Sequence, residues 1–488
     1  MKTIAILTLA AAALLASRPV AHAAQTDIPG PTGSVAFGTK VTVLPNGNFV
    51  VTDPNYSIPS VAMSVGAVYL YDGATLAVIS TLTGGTANDQ VGSGGVMVLS
   101  NGNFVVSSPA WANGGAAQAG AVTWSSGTDG VSGAVSTANS LVGSTANDRV
   151  GGNTLTALPN GNYVVYCRAW ANGAAGSAGA VTWGSGTAGV SGVVSAANAL
   201  VGSTDGDMVG GGGVTVLANG NYVVRSHMWD NGAAANAGAV TWGSGSSGVK
   251  GVVSAANSLV GSTANDTVGL VTALPNGNYV ASSSSWDNGA VVDAGAVTWG
   301  SGTAGVSGAV SAANSLVGST ANDGVGGGGF GGVTALPNGN YVVSSPYWDG
   351  AVVDAGAVTW GNGASWLIGT VSTANSLVGS TANDQVGYDG VIALTNGNYV
   401  VKSPYWANGT EASAGAVTWG SGTAGLIGTV SAVNSLVGST ANDQVGISYE
   451  ASGVTALANG NYVVSSRYWA SATALRVGAV TWAAGRPG

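Results

Sequence analysis

The chain has 488 residues, of which 82 are glycine, and only 6% of its residues are charged. This composition excludes a disordered chain, which would be rich in charge and poor in aromatic residues, and it excludes collagen, because glycine has no three-residue period. The formal net charge of −9 makes nucleic acid and other polyanions unsuitable partners for the surface as a whole. The single cysteine, Cys167, excludes an intramolecular disulfide, and we expect it to be a small buried residue.

The first 23 residues are predicted to be a signal peptide. Lys2 supplies a positive start, residues 4–16 form an apolar run broken only by Thr8, and residues 21–23 read Ala-His-Ala, a small-x-small cleavage site. The apolar run is too short to span about 30 Å of hydrocarbon. The predicted mature chain, residues 24–488, loses Lys2 and Arg18 and has nine cations against 20 acids, a net charge of −11. We expect it to be secreted or held at the cell surface, with the periplasm as the alternative.

The mature chain consists of tandem repeats. Asn-Gly-Asn precedes an aromatic residue at eight places, at intervals of 55 to 63 residues. These motifs begin at Asn46, Asn101, Asn160, Asn219, Asn276, Asn338, Asn396 and Asn459. A second motif, Asn-Ser-Leu-Val-Gly-Ser-Thr-Ala-Asn-Asp, is identical at five places, beginning at Asn139, Asn257, Asn314, Asn375 and Asn434. The predicted repeats lie near residues 34–90, 91–149, 150–208, 209–267, 268–324, 325–385, 386–444 and 445–488.

Each repeat is predicted to contain four short strands. In the sixth repeat, residues 332–336 are the first strand, and Asn338-Gly339 is predicted to be a type I′ hairpin turn. Residues 341–345 are the second strand, residues 356–360 the third, and residues 370–379 the fourth. No part of the mature chain has a helical period with caps.

The predicted fold class is therefore all-β, a β-propeller of about eight four-stranded blades, with seven blades or a β-solenoid as alternatives. The eighth repeat stops soon after its third strand, near residues 478–482. We expect residues 27–35 to supply the missing fourth strand and to close the ring, although Pro29 and Pro31 fit only a strand start or an edge.

The repeats resemble the FG-GAP repeats of integrin α-subunit propellers and their bacterial relatives. The first repeat carries Phe37-Gly38, then Asn46-Gly47-Asn48, then Gly-Ala-Val-Tyr-Leu-Tyr-Asp at residues 66–72. The resemblance implies a propeller with calcium loops. Here, however, the loop is reduced to Leu-Pro-Asn-Gly-Asn, which has no carboxylate and too few residues to surround the ion. We therefore predict no cofactor and no metal site, and we do not expect the calcium sites that the resemblance implies.

Catalysis has little support in the sequence. His227 is the only histidine of the mature chain, and there is no zinc cluster and no phosphate-binding loop. Seven equivalent aspartates are expected to cap turns between blades through their side-chain oxygens. These are Asp89, Asp148, Asp207, Asp266, Asp323, Asp384 and Asp443. Acids without an equivalent in the other repeats, which a glycosidase would need, are Asp205, Asp389, Glu411 and Glu450.

Two sets of tryptophans recur. The set that ends the third strand is expected to pack between blades, and it comprises Trp124, Trp183, Trp242, Trp299, Trp360, Trp419 and Trp482. For the set after the second strand, packing and ligand stacking both stay open. That set comprises Trp111, Trp170, Trp229, Trp286, Trp348, Trp406 and Trp469. Trp366 belongs to neither set and is the best single candidate for an exposed, ligand-binding aromatic.

Cations and a histidine replace parts of a Ser-Ser-Pro triplet near the end of the second strand. They are Arg168, Arg225, His227, Lys402 and Arg467. The period of two places all five on one face of that strand, so a closed propeller would arrange them in a ring. We interpret this ring as a candidate site for an anionic ligand such as an acidic glycan. Loss of acidic-glycan binding after neutralisation of all five would support this hypothesis, and unchanged binding would refute it.

The sequence favours an exported, non-enzymatic binding or adhesion module, monomeric, whose partner is a glycan or a surface protein. Export, recurrent aromatics and the absence of catalytic clusters support this interpretation. The alternatives are a propeller enzyme acting on polysaccharide and a structural envelope protein.

Overall fold

The structure, a computed structural model, describes residues 25–327, 332–447 and 453–485, and these residues form eight β-sheets and no helix. The predicted signal peptide lies outside the described residues. Within them, no helical segment has the length and hydropathy of a membrane span. The all-β fold class with eight repeated sheets, which the sequence predicts, is confirmed.

Strands are numbered in chain order, and each sheet is given from its first strand outward. Sheet 1 contains β1 (Lys40–Val43), β2 (Phe49–Asp53), β3 (Ala67–Tyr71), β4 (Val78–Thr83) and β8 (Gly133–Ala134). Sheet 2 contains β5 (Gly95–Val98), β6 (Phe104–Ser108), β7 (Ala121–Ser125), β9 (Ser140–Val142) and β13 (Gly192–Val193). Sheet 3 contains β10 (Thr156–Ala157), β11 (Tyr163–Cys167), β12 (Ala180–Gly184), β14 (Leu200–Val201) and β18 (Gly251–Val252). Sheet 4 contains β15 (Val214–Val216), β16 (Tyr222–Ser226), β17 (Ala239–Gly243), β19 (Leu259–Val260) and β23 (Gly308–Ala309).

The second half of the chain continues the series, and the last two sheets are smaller. Sheet 5 contains β20 (Leu270–Ala273), β21 (Tyr279–Ser283), β22 (Ala296–Gly300), β24 (Leu316–Val317) and β28 (Gly369–Thr370). Sheet 6 contains β25 (Val333–Ala335), β26 (Tyr341–Ser345), β27 (Ala357–Gly361), β29 (Ser376–Val378) and β33 (Gly428–Thr429). Sheet 7 contains β30 (Val391–Ala393), β31 (Tyr399–Ser403), β32 (Ala416–Gly420) and β34 (Ser435–Val437). Sheet 8 contains β35 (Val454–Ala456), β36 (Tyr462–Ser466) and β37 (Ala479–Ala483).

The hairpin between the first two strands differs from the predicted type I′ turn. Gly47 has a φ of +92°, but Asn46 is not among the residues with positive φ, as a type I′ turn would require. The Leu44 amide donates a hydrogen bond to the Asn48 carbonyl at 2.8 Å, and the Gly47 amide donates one to the Leu44 carbonyl at 3.0 Å. The turn is therefore a three-residue loop with glycine in the left-handed position. This geometry leaves the asparagine side chains free for contacts with the next sheet.

The predicted fourth strand is two strands that belong to different sheets. In the sixth repeat, β28 pairs in parallel with β24 of sheet 5, and β29 pairs with β27 of sheet 6. Between them, the Asn375 side chain accepts from the Ser372 amide at 2.9 Å and donates to the Thr370 carbonyl at 2.9 Å. This asparagine turn competes with extended pairing and breaks the strand. Each repeat from the second to the seventh thus adds one strand to the sheet before its own.

The asparagines of each hairpin hold the following sheet. The side chains of Asn101 and Asn103 both donate to the Gly186 carbonyl at 2.8 Å, and Trp124 Nε1 donates to the same oxygen at 2.9 Å. The same three-donor arrangement recurs at the carbonyls of Gly245, Gly302, Gly363 and Gly422. Five members of the first tryptophan set, Trp124, Trp183, Trp242, Trp299 and Trp360, therefore lie between adjacent sheets, as predicted, whereas Trp482 of sheet 8 is 60% exposed.

The seven repeated aspartates are buried, with exposed fractions of 0–1%. Asp384 Oδ2 accepts from the amides of Ser380 and Thr381 at 2.9 and 2.8 Å, while its Oδ1 accepts from the Ala407 amide of the next repeat at 2.9 Å. The other six aspartates accept three backbone donors in the same pattern. The predicted turn-capping role is confirmed, and each cap also links two neighbouring repeats.

Seven of the apolar cores lie between adjacent sheets rather than within one. Six members of the second tryptophan set have exposed fractions of 3–6% and pack in these cores, so the packing alternative holds for them. They are Trp111, Trp170, Trp229, Trp286, Trp348 and Trp406. Cys167 is buried as expected, and burial raises the pKa of its thiol to about 12.

The prediction that residues 27–35 complete the eighth sheet is wrong. Ile28 and Phe37 of the N-terminal segment pack on Val51, Tyr69 and Tyr71 of sheet 1. Aromatic contacts explain this placement, because the Phe37 ring lies 5.6 Å from Tyr69 and 6.3 Å from Tyr71. Within the described residues, sheet 8 keeps three strands.

The exposed apolar residues of the two end sheets show that these sheets do not cover one another. Val41 and Val43 of sheet 1 are 57% and 70% exposed, and Val480 and Trp482 of sheet 8 are 75% and 60% exposed. Apart from Ala157 of sheet 3, the equivalent residues of interior sheets are buried or half-buried. The N-terminal segment thus covers only part of sheet 1, and within the described residues the outer face of sheet 8 is exposed.

We expect Asp384→Asn to loosen the junction between sheets 6 and 7. An asparagine amide cannot accept at both positions, and hydrogen bonds to a charged group contribute about 1.5–3 kcal/mol. Hydrogen exchange at the Ser380, Thr381 and Ala407 amides should become faster by about tenfold or more. Asp205→Asn, at an exposed aspartate, is the control and should leave these rates unchanged. Equal rates in the two variants would contradict the proposed linking role.

Candidate functional site

Side chains that differ between repeats gather at one end of the sheets. The end of each second strand lies against the loop that leads into a first strand, as Gly94 lies beside Ser107 and Gly212 lies beside Arg225. We call this end the variable surface, defined by residues 107–110 and 93–94 and their equivalents in the other repeats. A pocket of about 370 Å³ opens here between sheets 2 and 3, lined in part by Ser107, Pro109 and Asn153.

The five residues predicted to bind an anionic ligand, which we call the window residues, lie on the variable surface but in different environments. They are Arg168, Arg225, His227, Lys402 and Arg467. Arg168 and Arg467 are exposed. The Arg467 guanidinium lies 5.0 Å from the centre of the Tyr468 ring, and Arg476 approaches the same ring at 5.2 Å. These three residues form a small cationic and aromatic group on sheet 8 and its loop.

Arg225 and His227 fill the space between sheets 4 and 5. Arg225 is half-buried, its Nε donates to the Gly269 carbonyl at 2.6 Å, and burial lowers its pKa. His227 is half-buried beside Gly212 and Gly269. These two side chains therefore occupy the position that corresponds to the open pocket between sheets 2 and 3.

Lys402 does not belong to an open basic patch, contrary to the interpretation from sequence. Its Nζ lies 3.1 Å from Asp389 Oδ2, and the side chains of Lys402 and Asp389 are 6% and 2% exposed. Two charges are removed from water here, which is costly unless they are paired. The sequence did not indicate this ion pair, because Asp389 lies 13 residues before Lys402, in a loop whose length differs from one repeat to the next.

Trp366 is 45% exposed, and its ring packs against Trp299 at a centroid distance of 5.9 Å. It follows β27, whose last residue, Gly361, pairs with Tyr341, the first residue of β26. The variable surface lies at the other end of β26. Trp366 is therefore exposed as predicted, but it lies at the opposite end of the sheets from the window residues.

Three tyrosines that the sequence analysis did not select form a cluster on the variable surface. The rings of Tyr347 and Tyr388 lie 6.3 Å apart at 82°, and those of Tyr388 and Tyr405 lie 4.9 Å apart at 69°. All three are half-buried. Such edge-to-face arrangements are the favoured geometry of aromatic pairs. We call Tyr347, Tyr388 and Tyr405 the tyrosine cluster.

The tyrosine cluster arises from changes in two neighbouring repeats. Residues equivalent to Tyr347 and Tyr405 are Ala110, Ala169, Met228 and Ser285 in the second to fifth repeats. Residues equivalent to Tyr388 are Ser93, Gly152 and Gly211 in the second to fourth repeats. Reading the repeats column by column for gained aromatic residues would have found this site.

The buried ion pair joins the loop that carries Tyr388 to strand β31. Asp389 follows Tyr388 in the chain, and it stands where the second and fourth repeats have Gly94 and Gly212. Lys402 stands where the second repeat has Ser107. Because the pair fixes the loop that carries Tyr388 to strand β31, it holds this ring between Tyr347 and Tyr405.

Two acids border the cluster. The Asp354 amide donates to Asp349 Oδ1 at 2.7 Å, and both side chains are half-buried. Burial, Tyr388 and Asp354 raise the pKa of Tyr347, so its phenol keeps its proton and can donate. The surface thus combines three ring faces with hydrogen-bond donors and acceptors.

The acids that a glycosidase would need do not converge. Asp205 is exposed, Asp389 is buried in its ion pair, and Glu411 Oε2 accepts from the Ala441 amide at 2.9 Å. Glu450 lies outside the described residues. The described part of the chain also contains no group of three or more His, Cys, Asp or Glu side chains that could hold a metal ion.

The fold and surface define an all-β scaffold of eight repeated sheets, with one end of the sheets varied. The chain belongs to the family of a repeat of unknown function, DUF5650. The family model matches residues 43–93, 98–152, 157–211, 216–270, 273–327, 335–388, 393–447 and 456–488. No curated protein matches the chain in sequence.

Solved structures with a similar arrangement include two lyases and a propeller. A streptogramin B lyase is 10% identical, with a TM-score of 0.29, over 80% of this chain and 92% of that chain. Virginiamycin B lyase from Staphylococcus aureus is 8% identical, with a TM-score of 0.28, over 75% and 89%. The Dos1 propeller is 10% identical, with a TM-score of 0.27, over 88% and 90%. The activities of these proteins are not transferred to this chain.

We expect Lys402→Ser to destabilise sheet 7, because it leaves the Asp389 carboxylate buried without its cation. Removing one partner of a buried ion pair costs about 3–5 kcal/mol. The double variant Lys402→Ser with Asp389→Gly restores the residues of the second repeat and should recover most of the thermal stability. A double variant no more stable than the single one would contradict this pairing.

Proposed function

We propose that the chain is an exported, non-enzymatic binding module that recognises glycans through the tyrosine cluster. The observation that carries the proposal is the concentration of aromatic substitutions at one place on an otherwise uniform scaffold. Tyrosines replace non-aromatic residues at three positions that meet in space, and a buried ion pair fixes the loop that carries one of them. A scaffold with no ligand would have no need for this local departure.

The chemistry of the cluster favours a sugar. Phenol rings present apolar faces to the C–H groups of a pyranose, and their hydroxyl groups can bond the ring substituents. Asp349 and Asp354 add acceptors for sugar hydroxyls at the edge. This acidic border favours a neutral glycan at the tyrosine cluster, whereas the exposed Arg168 and Arg467 lie on other sheets.

Export and adhesion belong to the same proposal. The signal-peptide pattern of residues 1–23 supports a secreted or surface location. The order of motifs within each repeat supports a relationship to FG-GAP propellers, which would make surface binding the natural role. The scattered acids support binding without hydrolysis.

A glycan array with the mature protein tests the proposal. Tyr388→Ala should weaken binding to the recognised neutral glycan at least tenfold, a loss of about 1.4 kcal/mol, because the central ring is removed. Trp366→Ala, at the opposite end of the sheets, is the matched control and should bind as the native protein does. If only Trp366→Ala lost binding, the site would lie at the hairpin end of the sheets instead. Release of new reducing ends from the glycan would favour an enzyme.

A further inference from the structure

The pocket between sheets 2 and 3 takes no part in the tyrosine cluster or in the links between repeats. Its volume is about 370 Å³, within the range of about 300–1,000 Å³ that is typical of small-molecule sites. One wall comes from the ends of β5 and β6, and the other comes from residues 151–155, which lead into β10. Apolar cores join these two sheets to sheets 1 and 4, so the pocket lies inside the series of sheets.

The pocket arises because the third repeat lacks two glycines. In the second, fourth and seventh repeats the residue at the start of the first strand is a glycine with a φ of +82° to +90°, namely Gly95, Gly213 and Gly390. Thr154 stands at this position and is not among the residues with positive φ, because a β-branched side chain disfavours that conformation. Asn153 stands where the second and fourth repeats have Gly94 and Gly212.

The first strand of the third repeat is therefore short. Strand β10 has two residues, whereas β5 has four. In the fourth repeat the Arg225 amide donates to the Gly213 carbonyl at 3.0 Å. In the described chain the equivalent bond, from the Tyr166 amide to the Thr154 carbonyl, is absent. The backbone of residues 153–154 is thus not paired with β11, and it lines the pocket instead.

Ser107 presents a buried hydroxyl group to this pocket. The residue is 4% exposed, and its Oγ lies 3.4 Å from the position that a Cβ would take at Gly151 in the opposite wall. Among the described residues this hydroxyl has no hydrogen-bond partner, and neither have Asn153 Nδ2 and Thr154 Oγ1. A buried polar group without a partner is unfavourable, so a ligand that bonds these groups is stabilised.

Larger side chains occupy the equivalent space in other repeats. The third, fourth and seventh repeats replace Ser107 with Tyr166, Arg225 and Lys402. Tyr166 Cβ lies 3.3 Å from the position of a Cβ at Gly210 in the next repeat, and Arg225 Nε donates to the Gly269 carbonyl at 2.6 Å. The second repeat keeps a serine here, so the gap between sheets 2 and 3 stays open.

We propose that this pocket binds one neutral monosaccharide unit. The proposal rests on the proposed function for the class of ligand, but it rests on separate residues for the site. No charged side chain is among the described residues that line the pocket, which favours a neutral sugar over a uronic or sulfated one. Ser107, Asn153 and Thr154 offer partners for sugar hydroxyls, while Met97 and Leu155 offer apolar contacts for the C–H groups.

Saturation-transfer-difference NMR of the mature protein with D-glucose, D-galactose and D-mannose tests the proposal. We expect saturation transfer to at least one of these sugars. Ser107→Tyr introduces the side chain of the third repeat and should abolish the signal, because the ring fills the pocket. Asn153→Gly with Thr154→Gly restores the glycine pair of the second repeat. This double variant should bind the sugar about tenfold more weakly, since β10 can then extend and pair with Tyr166.

Tyr388→Ala is the matched control, because it removes the central ring of the tyrosine cluster and should leave the NMR signal unchanged. Both pocket variants should keep the cooperative melting transition of the native protein, which separates lost binding from lost folding. No signal with any of the three sugars, or a signal that both pocket variants retain, would overturn the proposal. In either case the loss of glycan binding in Tyr388→Ala would still test the tyrosine cluster by itself.

A free sugar and the end residue of a glycan offer the same chemistry to the pocket, and a glycan array separates these two sources. If Ser107→Tyr loses glycans that the native protein binds, the pocket takes the end of a glycan chain. If the array pattern stays the same while the NMR signal is lost, the pocket takes a free monosaccharide.

Discussion

One glycine carbonyl at the end of each third strand holds the array together. In sheets 3 to 7 this oxygen accepts two asparagine side chains and one indole from the preceding sheet, as at Gly245. A buried aspartate adds a second link at the opposite end of the strands, as Asp384 does between sheets 6 and 7. With only 6% charged residues, the chain relies on these neutral and charge-assisted hydrogen bonds and on the cores between sheets.

These constraints explain why the differences between repeats concentrate on one surface. Residues that form these repeated links cannot change without loosening two repeats, so the hairpin asparagines and the capping aspartates stay uniform. The side chains at the ends of the second strands are not part of these repeated links. There the repeats differ, with a pocket between sheets 2 and 3, an arginine and a histidine between sheets 4 and 5, and the tyrosine cluster. Repeat proteins commonly place binding on such a varied face.

The sequence predicted the fold class, the number of sheets and the capping aspartates, because each depends on a local motif that recurs eight or seven times. It did not predict that residues 370–379 divide between two sheets or that residues 27–35 cover sheet 1, since both depend on which edge or face lies nearby. The same reason accounts for Lys402, whose partner comes from a loop of variable length. The tyrosine cluster could be predicted only by comparing Tyr347, Tyr388 and Tyr405 with the equivalent residues of the other repeats.

The division of each repeat between two sheets also affects how the molecule responds to backbone cleavage and to mechanical tension. Strand β28 belongs to the sixth repeat by sequence and to sheet 5 by hydrogen bonding. A cut in the connection between two repeats would therefore leave the pieces interlocked, because each piece still holds a strand in its neighbour's sheet. Tension along the chain would reach two sheets at once, and the array would resist extraction of any single repeat.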